Sequence, residues 1–454
     1  MRSVRVTRAF RVGTAALAAA TMVAAVESPA AAETDPGWVS GWLDDTTIGA
    51  AGAPGRTAGL VLSSTGATNP RVTFDLSGLT GVATATFPDW CVTDAAAVTC
   101  PMPPTATPDE FGALNGTLPV VLRAVTGAAD GATGTIGYTA LADGVDGWAQ
   151  QATVTVHAGP DVIDLVDEYV SGAATGDQLA MPVSVLSAGD QPADDLQITL
   201  RFPVGVEPAA YRNCRYGAGD QLSTIVVCTV GGELTPGARY EIPGGFATSV
   251  GPAAVGDKRI SQTVAPADTA GPLPAGVTFT RRDADQSLRL RQVGQPVDVI
   301  GPEHQYPSGQ YYLRAIRGAF DVVALGATAT GSAGDTVRVE VGLRNDGPGV
   351  PDGTISGNNA AWFVFTPPAG TAVSNRPANC SPAGSEEEEP DPTVPVTWYC
   401  TKPGGIFAAG ETYLVGFDLR IDGPLGTTGE VRIPHGYPRA DDDPANDTAA
   451  VTVS

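Results

Sequence analysis

The stretch FPVGVEPAAYRNCRYGAGDQLSTIVVCTVGGELTPG, residues 202–237, decides how this chain reads. An apolar strand ends at Phe202-Pro203, a loop carries Cys214, and Thr224-Ile225-Val226-Val227 runs as a second apolar strand into Cys228. Leu234-Thr235-Pro236-Gly237 then turns the chain. The same order occurs twice more. Phe87-Pro88-Asp89-Trp90-Cys91 and Ala97-Val98-Thr99-Cys100 form a shorter version. Trp362-Phe363-Val364-Phe365-Thr366-Pro367, Cys380 and Val396-Thr397-Trp398-Tyr399-Cys400 form a longer one. One supersecondary plan used three times marks tandem repeats.

Outward from these units, period-2 alternation predicts strands at 59–62, 71–76, 118–122, 133–139, 152–156, 196–202, 334–343 and 449–454. With 56 Gly and 38 Pro in 454 residues, long helices are disfavoured and short strands joined by turns are favoured. Arg2, Arg5, Arg8 and Arg11, an apolar run over 12–26 and Ala30-Ala31-Ala32 read as an export signal over 1–32. An uncleaved anchor is the rival, but the run is short for a membrane span. The expected organisation is β-sandwiches at 33–158, 159–291 and 319–454, with a tyrosine-bearing connector at 292–318 between the second and third. The six cysteines fall as three near neighbours, Cys91 with Cys100, Cys214 with Cys228, and Cys380 with Cys400. Export permits oxidation, so local disulfides that staple a loop or hairpin are expected. A metal site is the weaker reading, because no pair has C-x₂₋₄-C spacing.

Gly334-Asp335, Asn345-Asp346-Gly347-Pro348, Trp398-Tyr399-Cys400, Ala409-Gly410 and Asp443-Pro444-Ala445-Asn446-Asp447-Thr448-Ala449 resemble the conserved-repeat immunoglobulin-like domains of bacterial exported and surface proteins. The third repeat carries most of the resemblance, the second part of it, and the first least. It implies an all-β fold of three tandem immunoglobulin-like β-sandwich domains after a cleaved signal peptide. It also implies a secreted or cell-surface protein with a structural or adhesive role and no catalysis. Surface stalks of this type often end in an apolar span and a basic tail. This sequence ends on a strand, so wall attachment by that route is not expected of it.

The net charge of −23 removes the basic footprint that nucleic-acid binding needs and disfavours anionic membranes. No transmembrane span is expected after signal cleavage. His157, His304 and His435 are the only histidines, and no nucleophile elbow or metalloprotease motif accompanies them, so no catalytic residue is assigned. Asp441, Asp442, Asp443, Asn446 and Asp447 form the densest oxygen-ligand turn, for which Ca²⁺ is the one cofactor considered. A solvated turn is the alternative. The Glu386-Glu387-Glu388-Glu389 run reads as a solvated loop tip. Trp90 and Trp398 are expected to pack near a disulfide. Trp38, Trp42 and Trp362, if exposed, would suit a carbohydrate-binding alternative, and the partner is then a cell-wall glycan rather than an extracellular protein. The stapled loops hold 8, 13 and 19 residues, and specificity is expected to lie in what they carry.

Overall fold

The computed structural model describes residues 37–94, 97–145, 147–302, 306–353, 360–383, 396–434 and 442–454. The expected export signal at 1–32, His304, His435, Asp441 and the glutamate run at 386–389 lie outside them. Strand alternation builds the architecture. In Thr133–Asp143, for example, Ile136, Tyr138, Ala140 and Ala142 are buried while the residues between them are not. A sheet with one apolar face must cover it with another layer, and the protein does so three times.

In the first sandwich one sheet runs Trp38–Trp42, Gly55–Thr65, Leu114–Ala124, Ala83–Thr86. The other runs Thr46–Gly49, Ala149–His157, Thr133–Asp143, Thr68–Asp75, Ala97–Pro101, Val92–Asp94. The opening strand is shared between the sheets. Its first half is antiparallel to Gly55–Thr65 and its second half parallel to the last strand. The third sandwich repeats this order from Val322–Leu325 to Thr448–Val453. This is the ABED and GFC arrangement of immunoglobulin-like domains, with one hairpin added beyond strand C. The chain is therefore all-β, with immunoglobulin-like sandwiches in tandem.

The added hairpin is where the cysteines sit. Cys214 is directly opposite Cys228, and Cys380 directly opposite Cys400. Cys91 and Cys100 lie one position beyond the Val92–Thr99 pair. All three pairs are disulfide-bonded, across sequence separations of 9, 14 and 20. They staple hairpins, as the spacing predicts, and do not bridge the two sheets. Each hairpin ends the strand order of the sheet that holds the sandwich's closing strand; such edges invite association with other chains unless covered. In the chain-entropy model a loop of this length is worth about 3 kcal/mol.

Residues 292–318 are not a connector to the third sandwich. Arg291–Val293 pairs with Arg239–Glu241, and Ser308–Ile316 is the closing strand of the second sandwich. Tyr311, Leu313 and Ile316 lie in that sandwich's core. The alternation is hard to read because Gly309 takes one inward position and Tyr312 an outward one. The strand before it, Gly256–Pro266, also escapes sequence reading, because Lys258 and Gln262 occupy inward positions normally held by apolar side chains. Residues 267–307 thus form one long insertion between the last two strands of the second sandwich. It folds back over the Cys214–Cys228 hairpin. Thr280 and Tyr216 exchange backbone hydrogen bonds, Leu288 enters the core, and the Arg282 guanidinium sits 4.3 Å from the Tyr216 ring centre. Further on, Val299–Ile300 pairs in parallel with Gly55 and Arg56 of the first sandwich.

Candidate binding face and the joints beside it

The outer face of the first sandwich carries exposed aromatics. The Trp38–Trp42 strand is an edge strand whose outward side chains are Trp38, Ser40 and Trp42. Directly opposed residues of neighbouring strands share a face. Trp42, Val61 and Thr117 therefore form one row across three strands, Ser40, Ser63 and Asn115 the next, and Trp38 and Thr65 the next. Trp38 is 46% and Trp42 62% exposed. The Trp42 indole N–H donates to Asp44 Oδ1 at 2.8 Å, which fixes the ring edge. Asp45 is held in turn, accepting from the Thr153 amide at 2.6 Å. The Asn115 amide donates to Asp109 Oδ2 at 3.2 Å and to the Ala113 carbonyl at 3.0 Å. Hydrogen bonds from the Ala113 and Phe111 amides help to hold the Asp109 carboxyl below the usual carboxylate range.

Beside this face lies a cleft of about 350 Å³, within the range of small-molecule sites. Asp44, Gly59, Val61 and Thr117 of the first sandwich line it, together with a wall from the long insertion, Pro302 and Tyr306. The Tyr306 carbonyl accepts from the Asp164 amide at 3.0 Å, so this wall is anchored on the second sandwich. Three further clefts, beside Tyr216, Arg215 and Thr199, are also bordered by insertion residues between Gly271 and Arg282. The surface relief thus gathers around an insertion that the sequence reading took for an irregular repeat end and a connector.

The other residues singled out in the sequence are dispersed. Asp442 Oδ2 accepts from the Phe320 amide at 2.7 Å and Asp443 Oδ1 from the Ala445 amide at 3.3 Å. The Asn446 amide donates to Asp321, and Asp447 is buried. Among the described residues no group of three His, Cys, Asp or Glu side chains is placed to hold a metal ion. His157 is exposed, 3.5 Å from Asp130. Trp90 packs on the first core, and Trp398 on the third, with its ring centre 6.1 Å from that of Phe417. Trp362 is half-buried against Tyr399, unlike Trp38 and Trp42.

The joints hold what the sequence reading missed. The chain has only two lysines, Lys258 and Lys402, and both are buried. Lys258 projects from the second sandwich into the third. Its ammonium donates to the Val350 carbonyl at 2.9 Å and lies 3.7 Å from Asp352 Oδ2. Burial pushes it down to about 8, against the pull of Asp352. Asp164, at the start of the second sandwich, accepts from the Gln262 amide at 2.5 Å and the Val166 amide at 2.8 Å. Burial nevertheless raises its carboxyl to about 6. A near-absence of lysine from an arginine-bearing chain was the available signal.

No protein-family model matches the chain, and no curated protein matches it in sequence. Solved structures similar to it include a Dpr2 Ig1–Ig2 complex with DIP-Theta Ig1–Ig3, at 10% identity and TM-score 0.24, covering 92% of this chain and 99% of that one. A titin I9–I11 tandem, at 9% identity and TM-score 0.16, covers 92% and 99%. The chain titled BspA_C_WT, at 7% identity and TM-score 0.18, covers 56% and 99%. At such TM-scores these chains do not superpose as whole molecules, and the fold rests on the sheet topology above.

Proposed function

We propose that this protein is an exported, non-enzymatic spacer and contact module. In this reading three sandwiches in series hold a binding face at a fixed position outside the cell. The observation that carries it is the construction of the joints. Only a few residues separate His157 from Val162, and Ile316 from Val322. Backbone pairing crosses both joints, Val299–Ile300 onto Gly55 and Arg56 at the first, and Ala254 with Val350 at the second. Gly349 supports the closeness of the second joint, since a Cβ there would lie 3.1 Å from Val255 Cγ1 of the second sandwich. Interdomain contacts are ordinarily loose; main-chain pairing across them suits a part that must transmit position. Three paired disulfides favour an oxidising compartment, and the −23 charge favours solubility there.

Small-angle X-ray scattering on residues 33–454 tests the reading. A single rigid arrangement should fit the profile, unchanged between low and high salt. A profile that requires freely reorienting sandwiches would sink the spacer role.

A further inference from the structure

We infer that the outer face of the first sandwich, with the cleft below Tyr306, binds a neutral glycan chain on which Trp42 and Trp38 stack. This deepens the contact-module reading and rests on it. Two indoles exposed on one strand face have no packing reason to be there, and aromatic side chains in such positions mark recognition surfaces. Trp38 and Trp42 are four residues apart on the same face, a separation of about 13 Å. That spans more than one sugar ring, so the pair suits a chain rather than a monosaccharide. One face of a pyranose ring presents C–H bonds, which fit the electron-rich face of an indole. The Asp44 hydrogen bond holds the Trp42 ring by its edge and leaves its face open.

The polar groups fit the same ligand. Ser40, Ser63 and Asn115 fill the row between the tryptophans; the Ser63 hydroxyl donates to Asn115 Oδ1 at 2.5 Å, and the Ser40 and Ser63 hydroxyl oxygens can still accept from sugar hydroxyls. Asp44, lining the cleft, offers carboxylate oxygens to further hydroxyls. The charge pattern selects against acidic sugars. Arg123, the cation on this face of the Leu114–Ala124 strand, is ion-paired with Asp298 at 2.6 Å. Asp44, Asp45 and Asp109 stand around the face, and the whole chain is strongly acidic. A glycan bearing carboxylates or sulfates would meet repulsion without a free cation to offset it.

The test is titration of the signal-free protein with cellohexaose, mannohexaose, maltohexaose and, as the acidic counterpart, hexagalacturonate, followed by calorimetry and tryptophan fluorescence. Saturable binding of at least one neutral hexasaccharide is expected, with hexagalacturonate at least tenfold weaker. Trp42→Ala should weaken binding tenfold or more and Trp38→Ala about threefold. Trp148→Ala, which removes an exposed tryptophan next to the Ala149–His157 strand of the opposite sheet, should leave it unchanged. Circular dichroism checks that each variant folds, and Trp42→Phe, which keeps an aromatic face, should recover part of the loss. The inference is overturned if none of the neutral sugars binds, if Trp42→Ala binds as the parent does, or if hexagalacturonate binds equally well. Those outcomes leave the scattering result standing, and a flexible chain in scattering would leave sugar binding standing.

Discussion

The two joints solve one problem with different chemistry. At the first, Arg56 of the first sandwich donates to Asp161 at 2.9 Å, and Asp161 is still 27% exposed. A small apolar cluster of Ile163, Leu186, Ala188 and Ile300 packs beside it. At the second, Lys258 is fully buried, with Asp352 nearly so, and Val255 of the second sandwich joins the core of the third. Guanidinium keeps its charge and its water-contacting partner, whereas a buried ammonium titrates readily. The first joint is therefore a fixed clamp and the second a dry contact whose energy depends on protonation. Beside the first joint's apolar cluster, between Ile163 and Leu165, sits a buried acid, Asp164, held by Gln262. Gln262 and Lys258 are inward residues of one strand, Gly256–Pro266, so a single strand ties the second sandwich to both of these groups.

The widest separation between the joints should come from truncation. Lys258→Ala removes the donor to Val350 and the cation beside Asp352 in a dry site, a change that costs about 3 kcal/mol. Arg56→Ala should cost about 1.5 kcal/mol, because water reaches Asp161 and replaces the lost hydrogen bond. The comparison is read by urea unfolding of both variants. Equal losses would mean that burial does not distinguish the joints. Endoproteinase Lys-C adds a local readout in the parent. With Lys258 and Lys402 both buried, cleavage should track opening of the structure and be negligible in the native state.

Much of the scaffold was legible in the sequence, and the reason is physical. The Cys hairpins, the Gly-Asp turns and strands such as Thr336–Asn345 obey local rules of alternation and turn chemistry. What was lost is where a polar side chain faces inward. Lys258 and Gln262 break the alternation of Gly256–Pro266, and Gly309 thins that of Ser308–Ile316. Two strands were therefore unread, and the insertion between them was divided between a repeat end and a connector. The stapled loops were expected to carry specificity; two of the described clefts, beside Tyr216 and Arg215, lie between the Cys214–Cys228 loop and the insertion. Trp38 and Trp42 were visible as residues, but their common face depends on an edge-strand register that sequence does not supply.

Acid sharpens the contrast at the first joint. Asp164 sits at about 6 in the folded protein against an ordinary 3.8, so between those values the folded state binds more protons than the unfolded one. Stability contributed by this group is then largest below about pH 4 and declines as pH rises through 6. The loss from pH 4 to 7 is about 2.4 kcal/mol. Asp164→Asn should remove that slope. It should also be tolerated, since the Asn amide can donate to Gln262 Oε1, which has no hydrogen-bond partner among the described residues. Thermal unfolding of parent and variant at pH 4, 5.5 and 7 measures the difference. An unchanged slope in Asp164→Asn would assign the acid dependence elsewhere.

The smallest expected effect runs in the opposite direction at the second joint. Lys258 sits at about 8 when folded against an ordinary 10.5. Between those values the unfolded chain holds the extra proton, so stability from this group rises with pH. From pH 7 to 9 the gain is about 1.4 kcal/mol. The neutral amine still donates to the Val350 carbonyl, so the contact persists while the cost of a buried charge falls. Lys258→Met fills similar volume and carries no proton, and its stability should not gain over the same interval. Subtracting one pH profile from the other cancels groups common to both, including Tyr216 and Tyr311, whose phenols burial raises. Staying below pH 9 keeps those phenols protonated in both proteins. A parent that loses stability relative to Lys258→Met from pH 7 to 9 would show that the charged ammonium is favoured at the joint. The second joint would then be a clamp of the same kind as the first.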